Sequence, residues 1–87
     1  MSITVEFFGI PRERAGASSA TVEAAQLGKL FHALALRFPR LAEVCFEGDR
    51  LRPGYIANLN GERFISDPAT SLADGDAVLI LSADAGG

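Results

Sequence analysis

The sequence predicts an α+β fold in which one main helix covers one face of a small mixed sheet. Three observations carry that expectation. Apolar and polar residues alternate near the start with the period of a half-buried strand, and further strand-like runs follow residue 55. Between these stretches Leu27, Leu30, Phe31, Leu34, Ala35 and Phe38 recur at the spacing of one helix stripe. Turn residues separate the pieces, and 87 residues leave room for a single core.

Taken in order, "ITVEFFGI" sends Ile3, Val5 and Phe7 to the core, and Phe8 breaks the alternation as a large apolar residue on the other side. "PRERAGAS", residues 11 to 18, reads as a hairpin connection into a second strand, "SATVEA". Pro39 stops the helix at Phe38. Its start is poorly marked, because Gln26 is a weak N-cap and Gly28 costs about 1 kcal/mol relative to Ala, so a frayed first turn is expected. Residues 39 to 54 read as an irregular connection with one further helical turn. Asn60-Gly61, between two strand-like runs, predicts a type I′ hairpin, since both residues tolerate positive φ. A last strand follows from about Asp76 to Leu81. Its run "AVLIL" is apolar at every position, so if Val78 and Ile80 face the helix, Ala77, Leu79 and Leu81 face the uncovered side. With Phe8, Leu79 and Leu81 form a candidate docking face. The domain therefore spans 1–81, with 82–87 as a tail.

Composition narrows the function. Hydrophobic residues are 48% and charged residues 22% of the chain, which is globular composition. The net charge is -3, which disfavours nucleic-acid binding. Asp67, Asp74, Asp76 and Asp84 carry the final part of the chain to -4, leaving +1 on residues 1 to 66, and such an acidic end suits a basic partner groove. The only cysteine, Cys45, allows no internal disulfide and no multi-thiolate metal site, and a reducing cytoplasm is the simplest setting. No segment has the length or polarity of a secretory leader or a membrane span, so the chain reads as soluble and cytoplasmic.

"VEFFGIPRERAG", the helix ending in "RFP", "NLNGE" at a hairpin, "SLADGDAVLIL" and the terminal "GG" together resemble the MoaD/ThiS family of ubiquitin-like sulfur carriers, in order and spacing along nearly the whole chain. Length and the "RERAG" segment are most similar to the small subunit of molybdopterin synthase. The resemblance implies a β-grasp fold and a chemistry confined to the tail. An E1-like adenylating enzyme, using ATP and Mg²⁺, would convert the carboxylate of Gly87 to an acyl-adenylate, and a sulfur donor would then leave a C-terminal thiocarboxylate. Ser82, Ala83, Asp84, Ala85 and Gly86 would thread the terminus into the partner's active site, with a fully extended reach of about 20 Å. Gly86 and Gly87, lacking Cβ atoms, suit a narrow channel. In molybdopterin synthase two such chains would join two large subunits. The tail "LSADAGG" lacks the proline that such subunits commonly carry before the glycines. Carriers serving thiamine, cysteine, thionucleoside or tungsten-cofactor pathways therefore stay open, as does a non-catalytic β-grasp interaction module.

No cofactor or metal is expected on the chain itself. His32, off the helix stripe and without ligand neighbours, reads as a surface residue. Cys45 reads as a half-buried structural thiol. Arg12, Arg14, Arg50, Arg52 and Arg63 read as solvated charges paired with Glu13, Glu47, Asp49 and Glu62 rather than as a phosphate site. Lys29 is the only lysine. No convergent Ser, His and Asp arrangement suggests a free-standing enzyme.

Overall fold

A computed structural model describes residues 1–84, and across them seven strands and three helices follow one another. β1 (Ser2–Phe8) and β2 (Ser19–Glu23) form an antiparallel pair, with Val5 opposite Ala20. The connection is not a plain loop, because α1 (Ile10–Ala15) occupies most of it. Pro11 lies in the first turn of this helix, where its fixed φ is suited and its missing N–H costs nothing. Gly16 closes it at φ 71°, donating its N–H to the Arg12 carbonyl at 3.0 Å.

α2 (Leu27–Arg37) buries the expected stripe of Leu27, Leu30, Phe31 and Leu34, each contributing about 1.5–3 kcal/mol by leaving water. Its first turn is held, contrary to the expected fraying. Leu27 N–H donates to the Thr70 carbonyl at 3.0 Å and Gly28 N–H to the Pro68 carbonyl at 2.9 Å, so two N–H groups that the helix leaves unpaired are satisfied by a distant loop. Glycine permits that approach, since a Cβ on residue 28 would lie 2.9 Å from the Pro68 Cβ. Phe38 caps the helix, and Pro39 opens α3 (Pro39–Cys45), followed by a small ribbon of β3 (Phe46–Glu47) and β4 (Arg50–Leu51). The stretch expected to be irregular is thus mostly ordered.

β5 (Tyr55–Leu59) and β6 (Arg63–Ile65) pair through the expected turn, in which Asn60 and Gly61 take φ values of 56° and 70° and Glu62 N–H donates to the Leu59 carbonyl. β7 (Ala77–Ser82) lies between β1, to which it is parallel, and β5, to which it is antiparallel. The five-stranded sheet has the order β2-β1-β7-β5-β6. Ile3, Val5, Phe7, Ala57, Leu59, Val78 and Ile80 point from its inner face into one core with α2 and with Leu41 and Cys45 of α3. Phe7 meets Phe38 edge-on at 5.5 Å, and Phe31 lies 5.1 Å from Phe46.

Candidate functional site: the outer face of the sheet and the end of β7

β7 is anchored at both ends. At its start, the Asn60 side chain accepts a hydrogen bond from Ala77 N–H at 2.8 Å and donates one to Asp76 at 3.0 Å, while Asp76 accepts another from Ala73 N–H. These bonds, Asn60's first, hold the Asp76 carboxyl below the usual carboxylate range. At its far end the strand runs one residue beyond the expected boundary. Ser82 sits opposite Tyr55 and is only 8% exposed, so it belongs to the sheet and not to a free tail. Ala83 N–H donates to the Gly54 carbonyl at 2.8 Å, and Asp84 is exposed. Ala85, Gly86 and Gly87 lie outside the described residues.

The outer face carries the residues expected to dock a partner, arranged in rows by the strand register. One row runs Phe8, Leu81, Ile56, and the next runs Glu6, Leu79, Asn58, Phe64. Phe8 is 51% exposed and Leu79 half-buried, as a docking face requires. Leu81 departs from the expectation, being only 8% exposed and outside the inner core, so it forms the floor of this face rather than a raised contact. Two residues were missed by the sequence reading. Ile56 is half-buried, and Phe64, opposite Asn58, is 66% exposed. The alternation of β5 and the Asn60-Gly61 turn contain the signal for both, since together they fix which residue of β6 meets which residue of β5. Asn58 also has a buried Oδ1 with no hydrogen-bond partner, an omission that costs about 1–3 kcal/mol in a folded chain.

The other candidates stay apart from this face. His32 and Lys29 are exposed on α2. Cys45 is fully buried rather than half-buried, and burial pushes its thiol up to about 11 despite the Arg14 charge and a Tyr55 hydrogen bond, which leaves it protonated and unreactive at neutral pH. Of the expected arginine pairings, Arg52 with Glu47 at 3.4 Å is the one present among the described residues. Arg37 instead donates to the Thr21 carbonyl and lies over the Phe38 ring. Among the described residues no group of three His, Cys, Asp or Glu side chains gathers to hold a metal ion. No helix among them is long and apolar enough to cross a membrane.

A helix packed on one face of a five-stranded sheet whose first and last strands run parallel in its middle is the β-grasp architecture of ubiquitin-like proteins. The chain belongs to the ThiS family, whose model matches residues 5–87, and so to the ubiquitin-like sulfur carriers. SAMP1 from Haloferax volcanii is 24% identical, with all of both chains covered and a TM-score of 0.81. The HVO 2177 protein of the same organism is 30% identical, covering 100% of this chain and 87% of that one, with a TM-score of 0.79. In the complex of subunits 1 and 2 of the molybdopterin-converting factor from Helicobacter pylori, the matching chain is 26% identical, with 94% of this chain and 93% of that one covered and a TM-score of 0.63. No curated protein matches the sequence.

Proposed function

We propose that this chain carries sulfur as a thiocarboxylate on Gly87 and delivers it in molybdopterin biosynthesis, as the small subunit of the synthase. The observation that carries the reading is a family match that runs to Gly87. A terminal carboxylate, with a pKa of about 3.3–3.7, is ionised at neutral pH and inert toward nucleophiles. Its activation needs an E1-like enzyme with ATP and Mg²⁺. The carboxylate oxygen attacks the α-phosphorus, pyrophosphate leaves, and the acyl-adenylate forms. A sulfur nucleophile then adds to the carbonyl carbon and expels AMP. The resulting thiocarboxylate is the better nucleophile because its anion is soft and weakly hydrated.

This chain contributes position rather than catalytic side chains. With Ser82 paired in the sheet and Ala83 bonded to Gly54, residues 85 to 87 extend at most about 11 Å past Asp84, roughly half the reach expected for a tail starting at 82. A partner's active centre must therefore come close to the end of β7. The row Phe8, Leu81, Ile56 lies at that end and supports docking through the outer face. On this reading the chain pairs with the synthase large subunit, two of each in the assembly. The proline-free tail favours keeping a second reading, a carrier for another sulfur-transfer pathway.

Intact-mass spectrometry tests the chemistry. Incubated with the E1-like enzyme of its own genome, Mg-ATP and sulfide, the chain should gain the mass difference between sulfur and oxygen, and deletion of Gly87 should abolish the gain. An unchanged mass would reduce the chain to a docking module. Transfer of the carried sulfur to a pterin acceptor by the large subunit separates the molybdopterin reading from the other pathways.

A further inference from the structure

The outer face is not uniformly apolar. Over β7 lies a shallow cleft of about 380 Å³, lined by Glu6, Asn58, Asn60, Gly61, Ala77 and Leu79. Register places Glu6 and Asn58 on opposite sides of Leu79, one on β1 and the other on β5. The polar groups of the cleft differ in their engagement. Both ends of the Asn60 amide are occupied, by Ala77 N–H and by Asp76. Glu6, by contrast, is exposed, and among the described residues no cation lies within salt-bridge distance of it, its neighbours in the same row being Ser19 and Leu79. The Asn58 backbone belongs to the sheet ladders, but its side-chain Oδ1 is buried without a donor among the described residues. The cleft therefore has an apolar floor, an unpaired carboxylate on one wall and an unpaired amide on the other.

We propose that this cleft receives an arginine or lysine side chain of the E1-like adenylating enzyme when it docks on the outer face. The methylene stem would lie over Ala77 and Leu79, as long basic side chains do on apolar surface, with the charged head between Glu6 and Asn58. The terminal torsion of asparagine is broad and two-fold, so turning Oδ1 toward the head breaks no bond within the fold. Arginine suits the site better than lysine, because its planar fork can donate to a carboxylate and an amide oxygen at once. Charge complementarity argues for a basic side chain as the occupant: an apolar anchor would leave Glu6 facing apolar surface, and an acidic one would be repelled. Glu6 and Asn58 thereby become specificity residues, excluding partners that bring only apolar groups to Leu79. The inference rests on reading the outer face as the docking surface.

Isothermal titration calorimetry of the full chain against the E1-like enzyme of its own genome tests both levels. Glu6→Gln and Asn58→Leu should each weaken Kd about tenfold, and the wild-type affinity should fall with added salt more steeply than that of Glu6→Gln. Thermal melts should show both variants folded, since both positions face away from the core. Leu79→Asp, which strikes the floor, should abolish binding. If Leu79→Asp weakens Kd while Glu6→Gln changes neither Kd nor its salt dependence, the basic anchor is overturned and the docking surface stands. If Leu79→Asp binds as well as wild type, or the wild type does not bind, both are overturned. Sedimentation in which Glu6→Gln dissolves a self-associated form of the chain, with Kd for the enzyme unchanged, assigns the cation to a second copy and overturns the choice of partner.

Discussion

The two sides of β7 are built from nearly the same residue types and end in different states. Inward, Val78 and Ile80 are fully buried against α2 and the rest of the core. Outward, Leu79 stays half-exposed, and the face around it keeps Phe8 and Phe64 in water. The inner residues are consumed by folding, because their burial is most of what offsets the chain's lost conformational freedom. The outer residues contribute less to stability than their hydrophobicity would allow, and that unused surface is available for association. One strand therefore serves both the stability of the domain and its contact with a partner, through alternate side chains.

That contrast can be broken by substitution. Ile80→Ala should cost about 2–5 kcal/mol by chemical denaturation, whereas Leu79→Ala, one residue away, should cost less than about 1 kcal/mol. Similar losses at the two positions would remove the distinction between the faces. A smaller effect probes the seam that holds the covering helix. Gly28→Ala gains up to about 1 kcal/mol in helix propensity, but the new Cβ meets the Pro68 ring at 2.9 Å and its carbonyl at 3.3 Å, groups that cannot swing aside. A net loss of about 1–2 kcal/mol is expected, with faster hydrogen exchange at the residue 28 amide. Smallest is an alkaline effect from the core. Cys45 titrates at about 11 in the fold against 9.0 ordinarily, so the folded chain binds the proton more tightly. Its contribution is complete below pH 9 and is lost as pH rises toward 11, on the order of 1 kcal/mol by pH 10. Cys45→Ala should be less stable at neutral pH and should lack that alkaline decline.

Legibility in the sequence followed the range of the interactions. The inward set Ile3, Val5 and Phe7, the stripe on α2 and the Asn60-Gly61 turn depend on neighbours a few residues away, and each could be read directly. α1 escaped because six residues are too few to display a helical period, and Pro11 suggests a turn as readily as a helix start. The capped start of α2 escaped for another reason: its partners, Pro68 and Thr70, are some forty residues distant, and no local pattern announces them. Ser82 looks like the beginning of a tail until Tyr55 and Gly54 are placed beside the chain. At the candidate site, the outward direction of Phe8 and Leu79 was readable from alternation, while the burial of Leu81 and the unpaired Asn58 emerged only once strands were set in order. Ala85, Gly86 and Gly87, expected to form the threading tail, lie outside the described residues.

The parallel pairing of β1 with β7 bears on biosynthesis. β7, the strand in the middle of the sheet, is synthesised after the other strands of that sheet, so a nascent chain holds β1-β2 and β5-β6 without the strand that joins them and cannot close its core until synthesis has passed residue 82. A product interrupted upstream of that point lacks its central strand and is exposed to proteases. Folding thus depends on β7 having been translated, and a molecule able to present its outer face to a partner already contains that strand.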